Sequence, residues 1–495
     1  MTTPAASPLI TRSYFETLAE VVCRPTAGVD RVTLYLRSEV SHFIRFNQAA
    51  VRQATHVTQG SATIGLVRGR RRIESGLSLT GMPALDRAAL QAESELLAAQ
   101  LDEVSDDPWL LLPDEIESSL RIERGVLPTA AQVITAVAEA ARGLDFVGFY
   151  AGGPVVRAFA DSRGQRHWHE VDSFHFDWCL VHAGDKALKR SYAGNHWHDA
   201  EFMRRVAVDA GRLPLLARPS RKLTPGAYRA CFSPAAMSEL LGALSWSGFS
   251  AKSRRTGSSS LMRLQDGHER LHGSVTLAEH TAHGLAPGFT TEGRTKPGRI
   301  ALIEAGVAAH TLNSPRSAVE YGLASNGATS MESPESLELS PGGLVHADAL
   351  ATLGTGLYVS NLWYLNYSDR PACHMTGMTR YACFWVEGGE LERLGELPAV
   401  PRPVLGGGLV PVLGATKTNR GYFLRAESFY NVAAFVDGGS VFAPDRSIYG
   451  GVPLHGQSHG ESFLALAANR FGADGIYILD EPEAALSVSG ALALL

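Results

Sequence analysis

The sequence has no C-x-x-C pair, no run approaching ~18 consecutive apolar residues and no long block of like charge, and each absence removes a class of protein. Its five cysteines, Cys23, Cys179, Cys231, Cys373 and Cys383, are an odd number scattered through 495 residues. That spacing argues against a disulfide framework and for reduced thiols in a reducing compartment. No membrane-spanning helix is expected. The opening Met1-Thr-Thr-Pro-Ala-Ala-Ser-Pro-Leu-Ile lacks the basic and apolar regions of an export leader, so the expected location is the cytoplasm. A net charge of -5, drawn from 45 basic and 50 acidic residues, offers no bulk attraction to nucleic acid or to an anionic membrane. The densest basic run, Arg68-Gly-Arg-Arg-Arg72, has no interleaved aromatics and reads as a solvated turn. Partners must therefore be argued from sites.

What is present is an ordinary globular composition, 45% hydrophobic and 19% charged, long enough for roughly three domains. From Val32 to Val67 apolar residues alternate in short stretches (Val32 to Leu36, Phe43 to Phe46, Val51 to Val57, Ile64 to Val67), which predicts a strand meander. Leu85, Leu90, Leu97 and Leu101 recur at helical spacing, and Thr129 is placed to cap a helix carrying Val133, Ile134, Val137 and Ala141. Asp161-Ser-Arg-Gly164 predicts a turn between two strands, the second placing Phe174, Phe176 and Trp178 on one face. Residues 1–218 thus read as an α/β domain and residues 219–392, full of short strands and Gly/Ser turns, as a β-rich α+β domain. A Pro/Gly-rich connector follows over 393–420, then a separate unit over 421–495.

Several segments occur in a familiar order. They are Glu39-Val-Ser-His-Phe-Ile-Arg-Phe-Asn47, Phe232-Ser-Pro-Ala-Ala-Met-Ser238, Gly257-Ser-Ser-Ser-Leu261, Val275-Thr-Leu277, Thr291-Glu-Gly293, Leu302-Ile-Glu-Ala-Gly306, Asn326-Gly327, Tyr364-Leu-Asn-Tyr-Ser-Asp369 and Thr376-Gly-Met-Thr-Arg380. Together, over about residues 30–390, they resemble the TldD/PmbA family in its TldE-type branch. The resemblance implies a metallopeptidase-related fold, and it directs attention to one helix. Catalytic TldD-type members carry H-E-x-x-x-H there, two imidazoles for a metal and a carboxylate to take a proton from bound water. Here the stretch is Ser233-Pro234-Ala-Ala-Met-Ser238, with Ser233, Pro234 and Ser238 at the degenerate positions. Serine hydroxyls are poor zinc ligands, and no base remains at the second position. Read physically, Ser233 is an N-cap, Pro234 the first helical residue, and Met237, Leu240, Leu241 and Leu244 a buried stripe. No catalytic residue, metal or cofactor is expected in this part. The resemblance implies instead a heterodimer with a zinc-bearing TldD-type subunit, or a homodimer, enclosing a peptide or unfolded-protein substrate.

Other residues could carry chemistry. His167, His169, Glu170 and His175 superficially suggest a metallopeptidase, but His169 and His175 are six apart and would fall on different faces of a helix. On a strand His167 and His169 would share a face, so a two-histidine site is geometrically open, beside the plainer reading of hydrogen-bonded histidines. In Glu279-His280-Thr-Ala-His283 two histidines three apart could converge on one turn, as ligands or as lining of a peptide cleft. Cys373 beside His374 reads as a buried thiol rather than a ligand pair. Thr376 and Arg380 are cleft candidates, Arg380 as a bidentate partner for a peptide carboxylate or as half of a salt bridge.

The last unit has a different texture. Gly475-Ile-Tyr-Ile-Leu-Asp480-Glu481 is an aliphatic run ending in two acids, the Walker B pattern that places one carboxylate on Mg²⁺ and one on the attacking water. Upstream, Gln457-Ser458-His-Gly460-Glu461 resembles the signature that opens a helix in ABC-type ATPases. The resemblance implies a partial P-loop NTPase α/β fragment taking ATP and Mg²⁺. Against hydrolysis, the chain holds no G-x-x-x-x-G-K-[ST] loop to cradle a triphosphate.

Overall fold

A computed structural model describes residues 10–183, 186–396, 420–425, 461, 464, 468 and 475–480. The chain forms two compact units, Met1–Val404 and Leu405–Leu495.

The first unit begins with helix α1 (Arg12–Val22) and three antiparallel strands, β1 (Arg31–Asn47), β2 (Ala50–Arg68) and β3 (Arg71–Ser78). Helix α2 (Pro83–Gln100), β4 (Ser118–Glu123), α3 (Ala130–Ala140), β5 (Asp145–Asp161), β6 (Arg166–Ala183), β7 (Lys186–Gly194) and α4 (Asp199–Ala217) follow. The seven strands make one sheet in the order β3-β2-β1-β5-β6-β4, with β7 also paired to β6. The separate short strands expected between Val32 and Val67 merge into two long ones. Alternation weakens at Ser38 to His42, yet the ladder with β2 runs straight through that stretch, and the ladder with β5 skips Val40 and Ser41 and resumes in the same register; Ser38 Oγ donates to the Gln59 carbonyl.

Because side chains alternate along a strand, the even-numbered residues of β1, β5 and β6 share a face. Over one end of it, α1 and α2 bury Phe15, Leu18, Leu90 and Leu97 against Leu34, Leu36, Val156 and Trp168. Over the other end, α3 and α4 bury Val133, Val137, Phe202 and Val206 against Tyr150, Phe174, Phe176 and Trp178. Burial of one such aromatic side chain stabilises by roughly 2–3 kcal/mol. Thr129 caps α3 as expected, in a reciprocal capping box with Gln132. One expectation fails at α2: Leu85 is exposed, and Asp86 takes the buried place, accepting the Thr80 and Gly81 amides and the Tyr14 hydroxyl.

The rest of the unit is strand-rich. Strands β8 (Arg221–Lys222) and β9 (Ala230–Phe232) precede α5 (Pro234–Ser245), α6 (Ala251–Arg255) and α7 (Met262–Gln265). Then come β10 (Leu277–Glu279), β11 (Ile300–Glu304), β12 (Val307–Ala308), α8 (Pro315–Tyr321) and β13 (Leu337–Leu339), and α9 (Ala349–Leu353). They are followed by β14 (Gly356–Val359), β15 (Asn361–Asp369), β16 (His374–Arg380), β17 (Phe384–Glu387) and β18 (Glu390–Glu396). They form a four-stranded sheet β12-β11-β10-β13, a five-stranded sheet β8-β18-β17-β14-β9 and the hairpin β15-β16.

In the second unit β19 (Arg420–Arg425) and β20 (Gly475–Asp480) pair in parallel, Arg425 opposite Asp480, and Glu461, Leu464 and Ala468 have helical backbone. Ser458, Gly460, Glu481 and most of the connector expected over 393–420 lie outside the described residues. Among the described residues no helix is long and apolar enough to cross a membrane.

Candidate functional site

The odd-numbered residues at the Arg166 end of β6 point away from the helices, onto the face where the segment 281–294 lies. Gln165 Nε2 donates to the Gly293 carbonyl at 3.1 Å, and the His167 ring stacks on Phe289 with centroids 4.9 Å apart. His167 Nδ1 lies 2.8 Å from Ser119 Oγ, and His169 Nε2 lies 3.0 Å from the Leu285 carbonyl. Arg121 Nη1 completes the seam by donating to the Thr281 carbonyl at 3.4 Å. His167 and His169 do share a strand face, but each is buried with its ring set against the opposite half of the unit. Burial pushes both imidazoles down, His169 to about 4, so it is neutral at pH 7. A cavity of about 460 Å³ opens at the same seam, lined by residues that include Glu117, Gln165, Arg294, Lys296 and Asn326.

An acid-sensitive seam follows. An unfolded histidine takes up its proton near pH ~6.5, whereas His169 in the folded chain resists until about 4. The folded pKa is depressed, so this contribution is complete above the unfolded value and is lost as pH falls from ~6.5 toward 4. Unfolding free energy should fall by about 2 kcal/mol between pH 7 and pH 5 on this account. His169→Gln keeps a donor for Leu285 without titrating, and its urea unfolding should show a correspondingly flatter pH dependence; equal slopes would refute the assignment.

The two halves of the Glu279-His280-Thr-Ala-His283 motif do different things. Glu279 turns inward and accepts the Glu335 and Ser336 amides at 3.0 and 3.1 Å, with burial holding its carboxyl above the usual range against those donors. It clamps the entry to β13. His280, on the opposite sheet face, donates its amide to the Ser336 carbonyl, and the register Ala278↔Glu338 sets Glu338 diagonally across from it. The chain then turns, with the amides of His283 and Gly284 both reaching the His280 carbonyl. This turn lays the His283 ring on the His280 ring, with centroids 3.7 Å apart. His280 Nδ1 is 2.9 Å from Glu338 Oε1, and His283 Nδ1 is 3.2 Å from Glu338 Oε2. The two imidazoles hold the Glu338 carboxyl below its ordinary range.

On α5, Ser233 is the N-cap: its Oγ accepts the Ala236 amide at 3.2 Å and donates to the Ser360 carbonyl at 2.5 Å. Pro234 is the first helical residue and Ser238 is exposed. The stripe expected at Met237, Leu240, Leu241 and Leu244 is only half-buried. The residues of this helix that are fully buried are Ala236, packed with Val359 and Cys383, and Ala243; the helix lies against β15. Thr376 and Arg380 are exposed on β16, and the Arg380 guanidinium sits 3.9 Å over the Trp363 ring. Among the described residues no hydrogen bond, ion pair or ring contact joins them to His280 or His283. Cys373 is half-buried beside the core around Phe249, and its neighbour His374 is exposed. In the Arg68–Arg72 turn, Arg68, Arg71 and Arg72 pair with Asp102, Asp106 and Glu74.

Sequence reasoning missed Glu338, Phe289 and the docking role of Gln165. Only the first had a readable signal, an acid in a short alternating stretch, and its partners His283 and His280 lie 55 and 58 residues away.

The arrangement can now be set beside known proteins. Residues 225–396 match the family model described as the PmbA/TldA metallopeptidase C-terminal domain. TldE from Thermococcus kodakarensis has a similar structure, with a TM-score of 0.62 and 13% identity over 77% of this chain and 90% of that one. A Thermotoga maritima protein described as a candidate modulator of a DNA gyrase gives 0.60 at 15% identity, over 78% and 90% of the two chains. A Bacteroides thetaiotaomicron protein described in like terms gives 0.59 at 16%, over 78% and 89%. Among curated proteins nothing matches the chain. In fold this is a TldD/TldE-like α/β protein with sheet-rich domains. The family match is confined to residues 225–396, and the likeness to the solved structures is one of fold.

Proposed function

We propose that the chain is a TldE-like subunit of a TldD/TldE-type metallopeptidase complex, itself without the H-E-x-x-x-H metal motif, acting in peptide processing in the cytoplasm. The observation that carries this reading is α5. The helix has Ser233-Pro-Ala-Ala-Met-Ser238 where the resemblance sets the metal motif, and the Ser233 hydroxyl is committed to capping and to the Ser360 carbonyl. A helix of that composition offers zinc neither imidazole nor carboxylate, and its proline cannot act as a base. The zinc and the water-activating carboxylate belong, on this reading, to a TldD-type partner. This chain supplies subunit surface and part of the groove for a peptide or unfolded protein, with Thr376 and Arg380 as exposed polar groups on the β15-β16 hairpin. Peptide cleavage should appear only when the chain is mixed with a TldD-type subunit and should vanish with chelator. Chelator-sensitive cleavage by the chain alone would overturn the proposal, as would full activity of the partner without it.

A second reading concerns Leu405–Leu495. The parallel pairing of β19 with β20 brings a second strand beside an aliphatic one that ends at Asp480, as a nucleotide-binding sheet requires. A nucleotide-responsive ABC-type module, with Asp480 and Glu481 around Mg²⁺ and the Ser458-His-Gly460-Glu461 segment near phosphate, would bind ATP. Binding should then weaken at least tenfold in Asp480→Asn. Equal binding by that variant, or none by the wild type, removes this reading.

A further inference from the structure

The His280, His283 and Glu338 cluster is more than an ion pair. A tetrahedral zinc with nitrogen and oxygen ligands at about 2.0–2.1 Å requires ligand atoms about 3.3 Å apart. Each imidazole already lies near that spacing from the carboxylate, through a different oxygen: 2.9 Å from His280 Nδ1 to Glu338 Oε1 and 3.2 Å from His283 Nδ1 to Glu338 Oε2. One donor atom from each of the three residues lies within 4.8 Å of the other two. The His280 Nδ1 atom is buried and forms no directed hydrogen bond: its contact with Glu338 meets the distance of one but not the direction. A cation between the rings and the carboxylate would satisfy it.

The surroundings fix the three side chains. The Glu279 clamp and the β10-β13 pairing hold His280 and Glu338 on one sheet face. Gly284 lets the turn close against Ser336, whose Oγ would stand 2.0 Å from any Cβ at that position. On either side of His283 the turn presents the Thr281 and Leu285 carbonyls to Arg121 and His169 across the seam. His283 is 69% exposed, so a bound ion would keep one position open to water.

We propose that His280, His283 and Glu338 form a binding site for one divalent zinc-like ion, which locks the 280–285 turn and with it the docking of the unit's two halves. The inference concerns a place remote in sequence from α5 and needs no partner subunit, so it stands or falls apart from the peptidase reading.

The test uses the full chain, stripped with chelator and titrated with zinc against a chromophoric competitor. One zinc per chain is expected, with a rise in Tm on loading. Glu338→Gln, which keeps the side chain's shape, and His283→Ala, at an exposed position, should each weaken binding at least tenfold and abolish the Tm rise. Zinc-edge X-ray absorption should show two imidazoles. Unchanged affinity in both variants, a spectrum without imidazole scattering, or no zinc binding would overturn it.

Discussion

Replacing Arg31 by methionine should destabilise the first unit by about 3–5 kcal/mol, because it strips the counter-charge from a fully buried carboxylate. Arg31 and Asp161 are 4% and 0% exposed. The guanidinium donates from Nε to Asp161 Oδ2 at 2.8 Å, from Nη1 to the Pro113 carbonyl at 2.9 Å and from Nη2 to Gln165 Oε1 at 2.5 Å. The other Asp161 oxygen accepts the Arg163 and Gln165 amides, shaping the β5-β6 turn. Without Arg31 the aspartate must stay charged and half-satisfied in the interior or take up a proton, and either outcome is unfavourable. Removing both partners is a different matter, since apolar groups of similar volume leave no orphaned charge. Urea unfolding followed by tryptophan fluorescence should therefore show a large loss in Arg31→Met and recovery of part of it in Arg31→Met with Asp161→Leu. A loss below about 1 kcal/mol in the single variant would refute this account.

How much of this was legible depended on whether a feature was local. Period-2 alternation placed Phe174, Phe176 and Trp178 together, and all three are buried among the same aromatics. The caps at Thr129 and Ser233 were readable because a capping side chain bonds amides only two or three residues away. Long-range pairings were not. Nothing near Arg31 announces Asp161, 130 residues on, and nothing near His280 announces Glu338. The continuity of β1 was hidden for the same reason: its pairing with β2, not its own alternation, carries it through Ser38 to His42. His167 and His169 show the ambiguity most clearly. The sequence could say that they share a face, but only the packing of Phe289 and Leu285 shows that the face is a seam between two halves of the unit. Likewise α5 was recognisable as a helix, while its packing on β15, with Ala236 and Ala243 as the buried residues, belongs to tertiary structure.

The same distinction gives Gly293 a physical reason within the Thr291-Glu-Gly293 segment, and with it a second large expected effect. Gly293 has φ +82°, in the left-handed region, and a Cβ there would stand 2.2 Å from the Phe159 ring. Phe159 is fully buried on β5, and the Gly293 carbonyl accepts the Gln165 side-chain amide. Alanine must therefore bear backbone strain of about 1 kcal/mol and push against a ring with no room to retreat, at about 1–3 kcal/mol more. Gly293→Ala should lose about 2–4 kcal/mol in urea unfolding, and its seam should be attacked faster by protease than that of the wild type. Adding Phe159→Leu shortens the opposing side chain while leaving the left-handed φ in place, so it should relieve the clash but not the strain. Wild-type stability in Gly293→Ala would mean that segment 290–294 does not dock on Phe159. A second-site leucine that restores nothing would place the whole effect in the backbone rather than in the contact between the two halves.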